Sequence, residues 1–316
     1  MAQLSFDNAE TLIYDPVPGN RTATRAALFN LGFRRIETVA TLDALGECIM
    51  HRPPDLALCE AQGVESELCG MIQSLRQGVS GYNPFVVIIV TAWENHDSLV
   101  RRVVNSGADD LLLRPFSPAV LGNRIRLHVE RRKGFIITSD YVGPDRRRGP
   151  MRNWQADLFE PPNSLKMKVL EKLSDEVLNQ RLDVQLRDAR ATLNSVKLRR
   201  DAFQICVLWR LMQEERGDSD KYEVDLAHLK DVTRGVARRS LDTQFEDASE
   251  WCDSVLAAID GLEAGADRGA SMHLLGHAAL NLNQMFSPGK SAGDHLAEID
   301  ATVAIVKART ETAMAS

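Results

Sequence analysis

The chain has 316 residues, 44% of them hydrophobic and 26% charged, with 38 Lys and Arg against 44 Asp and Glu. That length suits two domains with ample core material. A formal net charge of −6 argues against a general nucleic-acid binder and leaves room only for a local basic patch.

From residue 11 to about 133, short apolar runs alternate with amphipathic segments. The runs Thr11–Tyr14, Ile36–Ala40, Asp55–Cys59, Phe85–Val90 and Asp110–Leu113 predict strands. Asn20–Leu31, Leu42–His51, Glu65–Gln77 and His96–Ser106 predict the helices between them, and Pro118–Arg132 a fifth after the last strand. Phe85–Val90 is apolar at every position, as a central parallel strand covered on both faces should be. Strands separated by helices imply right-handed βαβ crossovers and a (βα)5 doubly wound parallel sheet. Ser117 followed by Pro118 suits an N-cap and first helical turn.

Residues 134–163 predict a connector. Ile136-Ile137-Thr138 suits a short extended piece, and Gly143-Pro144 and Gly149-Pro150 flank Arg146, Arg147 and Arg148, which describes a stiff, exposed linker. From Leu165 to Arg216 there is neither glycine nor proline, and apolar residues recur at helical spacing. Tyr222–Leu262, Ser271–Phe286 and Ala292–Ala313 predict further helices, separated by Gly217-Asp218-Ser219, Gly265-Ala266-Asp267 and Ser287-Pro288-Gly289. The expected organisation is therefore a domain at 1–133, a basic linker at 134–163 and an all-α bundle at 164–316.

The five cysteines show no CxxC or Cys/His metal spacing, so reduced thiols are expected, buried at Cys59 and Cys206. The N-terminal Met-Ala-Gln-Leu-Ser-Phe-Asp has no basic flank or long apolar core, and no stretch reaches the length of a membrane span. The expectation is a cytoplasmic protein.

Four landmarks fall in order along the first domain. Leu12-Ile13-Tyr14-Asp15-Pro16 ends the first strand and Pro54-Asp55-Leu56-Ala57-Leu58-Cys59-Glu60 the third. Val90-Thr91-Ala92 ends the fourth, and Gly107-Ala108-Asp109-Asp110-Leu111-Leu112-Leu113-Arg114-Pro115-Phe116 spans the fifth. On these residues the domain resembles the CheY-like receiver of bacterial response regulators. The resemblance implies an acidic pair after the first strand, a phosphorylated Asp after the third, Thr or Ser after the fourth, and Lys-Pro after the fifth.

The departures from that pattern carry the functional reading. Pro16 replaces the second acid, leaving Asp15; Glu60 stands at the phosphoacceptor position and Arg114 at the lysine, while Thr91 is intact. Glutamate's extra methylene moves the carboxylate by roughly one bond length, which works against in-line attack and against Mg²⁺, an ion that insists on near-octahedral geometry. Arginine exchanges a point charge for a planar fork. Leu111 replaces the aromatic switch residue that many receivers carry. Mg²⁺ binding is expected to be lost or weak, with no other cofactor. Three readings of Asp15, Glu60, Thr91 and Arg114 stay open. The site is locked by an Arg114–Glu60 pair, or it has decayed into a docking surface, or it keeps residual phosphorylation or another ligand.

In the helical half, the Gly276-His277-Ala278 end of His273-Leu274-Leu275-Gly276-His277-Ala278 resembles the motif of histidine-phosphotransfer bundles. Aligning Gly276 with that family's glycine places Met272 at the phosphorylated position. His273 and His277 are i, i+4 neighbours able to clamp a metal, although a partly buried pair on a packed helix is the expected state. Phe245–Trp251 resembles helical phosphatases of receivers in placing Asp247, but Trp251 takes the place of the water-positioning glutamine. Arg146, Arg147 and Arg148, with Arg131, Arg132, Lys133 and Arg152, form a basic cluster that is either a solvated linker anchored by salt bridges to the acidic domains or a patch for phosphate groups, an acidic partner or a cyclic dinucleotide. No compact helix-turn-helix follows, so DNA binding is not expected. The combined expectation is a non-catalytic signalling protein that acts on a histidine kinase, a phosphotransfer protein or another regulator, through residues 107–125 and the bundle. Homo-oligomerisation stays open. The alternative is a phosphorelay component with phosphotransfer or phosphatase activity in the bundle.

Overall fold

The computed structural model describes residues 4–314 apart from 80, 82, 147–157, 172, 215–218, 242, 244 and 246. The chain divides into two compact units, Met1–Leu193 and Asn194–Ser316. In the first, β1 (Glu10–Tyr14), β2 (Arg35–Val39), β3 (Leu56–Glu60), β4 (Val87–Ala92) and β5 (Asp110–Leu113) form one sheet in the order β2-β1-β3-β4-β5. Every neighbouring pair is parallel. The crossovers are α1 (Pro18–Asn30), α2 (Leu42–His51), α3 (Glu65–Arg76) and α4 (Asp97–Ser106), and α5 (Pro118–Arg131) follows the last strand. This is the flavodoxin-like order, whose switch point lies between β1 and β3.

Alternation along the strands builds two cores. Leu12, Tyr14, Ala57, Cys59, Ile88 and Val90 pack on one face of the sheet. Ile13, Leu56, Leu58, Val87 and Ile89 pack on the other, so the central strands are apolar throughout. Thr41 caps α2 and Ser117 caps α5, each side chain accepting a backbone N–H. Such termini set the loops at the C-terminal edge of the sheet, where ligands of open α/β folds bind.

Residues 134–146, the described start of the expected linker, are not an exposed connector. β6 (Phe135–Ile137) and β7 (Val142–Pro144) form an antiparallel hairpin, with Phe135, Ile136, Ile137 and Val142 buried. Gly143 lets this hairpin approach the turn after α4, since an added Cβ would lie 2.7 Å from the Gly107 Cα. Gly107 itself has φ +85° and sits against the Val142 carbonyl oxygen. Gly107→Ala is therefore expected to destabilise the chain by about 2 kcal/mol or more, from left-handed strain plus overpacking, as read by urea unfolding. Arg147 and Arg148 lie outside the described residues.

The division between units also falls later than the expected 163/164 boundary. The stretch Leu165–Arg216 is two helices, α6 (Ser164–Leu170) and α7 (Asp175–Glu214). Ser174 accepts the Leu178 N–H through its carbonyl, and Asp175 and Glu176 follow in the first turn, a strong new helix start. α6 belongs to the first unit: Leu165 and Val169 join the core of Leu56, Val87 and Val129, and the Lys168 ammonium meets Asp55 Oδ2 at 3.0 Å.

The second unit holds the C-terminal part of α7 together with α8 (Ser219–Ser240), α9 (Ala248–Glu263), α10 (Arg268–Phe286) and α11 (Ala292–Met314). The expected helix Tyr222–Leu262 is broken after Ser240, where Thr243 and Phe245 form turn hydrogen bonds. Phe245 then packs edge-on against Phe286, with ring centroids 5.0 Å apart. The core gathers Trp209, Met212, Leu229, Ile259, Leu275 and Leu282. Among the described residues, no helix is long and apolar enough to cross a membrane.

Candidate functional site

Asp15 follows β1, Glu60 closes β3, Thr91 lies at the end of β4 and Arg114 follows β5, so parallel pairing delivers all four to the same edge of the sheet. They meet there. Arg114 Nε donates to Glu60 Oε2 at 2.7 Å, and one terminal nitrogen donates to Asp15 Oδ2 at 3.0 Å. The same nitrogen reaches Thr24 Oγ1 of α1 at 3.2 Å. The guanidinium carbon lies 4.8 Å from the centre of the Phe116 ring, within cation–π range.

All four carboxylate oxygens accept hydrogen bonds from the protein. Thr91 Oγ1 donates to Glu60 Oε2 at 2.8 Å, and the Gln62 N–H donates to Oε1 at 3.2 Å. The Val17 N–H donates to Asp15 Oδ1 at 2.9 Å, while Asp15 Oδ2 belongs to Arg114. The cluster is dry: Asp15 is 0% exposed, Glu60 2% and the Arg114 side chain 7%. Burial, followed by the negative charge of Glu60, pushes the Cys59 thiol up to about 12. Burial, Cys59, Asp15 and Glu60 together raise Tyr14. Neither group is placed for nucleophilic work.

The receiver resemblance implies Mg²⁺, and this donor set does not fit it. Mg²⁺ needs oxygen ligands in octahedral array, whereas both carboxylates are held by one arginine and each of their oxygens accepts a hydrogen bond from the protein. Among the described residues no group of three His, Cys, Asp or Glu side chains could hold a metal ion.

A second ionic cluster, at the opposite end of the strands, went unread in the sequence. Asp109 Oδ2 lies 2.8 Å from Arg76, and Oδ1 lies 2.8 Å from Arg132 Nε. Both cations lie over the Phe135 ring, at 5.3 and 5.0 Å. Arg132 also donates to the carbonyls of Phe85 and Val86. Arg132 is thus a buried strut and not part of a solvated basic patch. Arg146 donates to the Ala108 carbonyl at 2.5 Å and is half-buried, so it too is a structural contact.

In the second unit His273 and His277 are both exposed, contrary to the partly buried pair expected. Met272, the position aligned with the phosphorylated histidine, is buried. The structure accounts for Gly276 by packing: an added Cβ would collide with the Trp209 indole, whose Nε1 donates to the Met272 carbonyl at 3.1 Å. Gly276→Ala should cost about 1–3 kcal/mol by overpacking, read by thermal unfolding and a shift in tryptophan emission. Asp247 is exposed at the start of α9. Thr24 was missed in the sequence, although it shares a helical face with the buried Ala27 and Leu28, a phase that marks it as inward-facing.

No family model matches the chain, and no curated protein matches it. Solved structures resemble its first part. A CheY-like receiver domain protein from Methanospirillum hungatei is 20% identical, covering 37% of this chain and 90% of its own, with a TM-score of 0.34. A receiver domain from Bermanella marisrubri is 23% identical over 37% of this chain and 94% of its own, with a TM-score of 0.33. A putative pilus assembly-related protein from Burkholderia pseudomallei is 12% identical over 40% and 92%, with a TM-score of 0.34.

Proposed function

We propose that this chain is a non-catalytic, response-regulator-like signalling protein of the bacterial cytoplasm whose receiver-type site is locked by Arg114 and not phosphorylated on residue 60. One observation carries the reading: a single guanidinium ties Asp15 to Glu60 while Thr91 donates to the same Glu60 oxygen that Arg114 grips. A phosphoacceptor needs a free carboxylate oxygen aimed at the donor, and here each oxygen already has a partner. Charge-assisted contacts of this kind are strong and geometrically specific. On this reading the chain works by binding signalling proteins such as a histidine kinase, a phosphotransfer protein or another regulator. The face spanning residues 107–125, where Leu113 and Val120 are exposed, and the helical unit would make the contacts.

The exposure of His273 and His277 favours keeping a second reading, in which the helical unit transfers or removes phosphoryl groups. The two are separated by incubating the full chain with a phosphohistidine donor protein and, separately, with a phosphorylated receiver. The first reading expects no histidine adduct by intact mass and no accelerated phosphate release. An adduct or release that disappears in His273→Ala or His277→Ala would establish the second.

A further inference from the structure

We infer that the groove between α3 and α4 binds a small phosphate ester, and that a nucleotide is the class of ligand it takes. The groove is open to solvent and spans about 990 Å³, within the size range of small-molecule sites. Ser66 and Gln73 line it from α3, Arg101, Arg102 and Asn105 from α4, and Tyr141 from the turn of the β6–β7 hairpin. That turn is tied across one end, where the Gln73 amide donates to the Asp140 carbonyl at 3.3 Å.

The two arginines are not held as the buried arginines of this unit are. Arg76, Arg114 and Arg132 each hold a carboxylate at 2.7–2.8 Å. Arg102 instead donates to a neutral hydroxyl, Ser66 Oγ, at 2.6 Å. Arg101 reaches only Asp97, at 3.9 Å, and that side chain is 94% exposed. Two guanidinium forks on adjacent residues, neither in a close ion pair with a carboxylate among the described residues, match the bidentate recognition of phosphate oxygens.

Gly70 is an independent observation. It lies inside α3, where glycine weakens a helix, yet an added Cβ would meet nothing within 4 Å. Packing does not require glycine there; what the missing side chain does is leave open the space between the two helices. The amides of Gln73 and Asn105 can pair with the edge of a heterocycle, and the Tyr141 ring offers a stacking surface. Asp97, exposed, suits a sugar hydroxyl.

Isothermal titration of the full chain with ADP, GDP and inorganic pyrophosphate tests the assignment. At least one nucleotide is expected to bind with unit stoichiometry and more tightly than pyrophosphate. Arg102→Ala should weaken it about tenfold or more, the effect of losing hydrogen bonds to a charged group. Gly70→Leu should abolish binding with an unchanged or raised melting temperature. Binding of neither nucleotide, affinities no better than that of pyrophosphate, or indifference to both substitutions would overturn the proposal. None of these outcomes depends on the state of Glu60.

Discussion

Asp109→Asn is expected to destabilise the first unit by about 3–5 kcal/mol, the cost of removing one partner from a buried ionic cluster. The reason is arithmetic in charge: a single carboxylate holds both Arg76 and Arg132 away from water, and asparagine would leave two buried cations with no anion. Burial already draws Arg76 down to about 10, a sign of how costly its charge is there. The substitution should also change the acid limb of stability. Burial alone would raise the Asp109 carboxyl, but Arg132 and Arg76 outweigh it and hold its pKa below the ordinary value. The folded value thus lies under the unfolded one of about 3.9. The carboxylate's contribution is full above that pH and fades as pH falls through the folded value. Urea unfolding from pH 7 to pH 2.5 should therefore show a steeper loss below about pH 4 in the parent chain than in Asp109→Asn. Equal slopes would mean that Asp109 does not titrate with folding.

Arg114→Met should cost about 3–5 kcal/mol by the same logic with the signs reversed, since Asp15 and Glu60 are left buried without their shared cation. The double variant Glu60→Gln/Arg114→Met removes one carboxylate with the arginine. It should be less destabilised than the sum of the two single changes, with a coupling of about 1–3 kcal/mol for groups in direct contact. A coupling near zero would show that Arg114 does not grip Glu60 in solution. Methionine roughly preserves the arginine stem's volume, so lost packing over Phe116 contributes little to the difference.

The Arg114–Glu60 contact was more legible in the sequence than the scaffold around it. Glu60 and Arg114 could be read because each ends a strand whose apolar run is self-evident, and parallel pairing then fixes where strand ends meet. The strut could not be read. Arg132 follows Arg131 and precedes Lys133, and a run of like charges ordinarily marks solvent. Only the fold places its guanidinium on Asp109, and Arg76 arrives there from another helix. Gly143-Pro144 reads as linker for a related reason. The same pair serves a hairpin when a neighbour such as Gly107 needs the space a Cβ would occupy. In the second unit, the turn after Ser240 is made by Ser and Thr hydrogen bonds without glycine or proline, so helical periodicity runs through it unmarked. Gly276 shows the converse. A glycine that resembles a family signature is explained by one indole ring packed against it.

If Arg114 locks the site as proposed, residue 60 accepts no phosphate. Intact mass spectrometry after incubation with acetyl phosphate and Mg²⁺, quenched in acid to preserve acyl phosphates, tests it directly. The parent chain is expected to keep its unmodified mass. A single-phosphoryl adduct that is labile to hydroxylamine and absent from Glu60→Gln would contradict it.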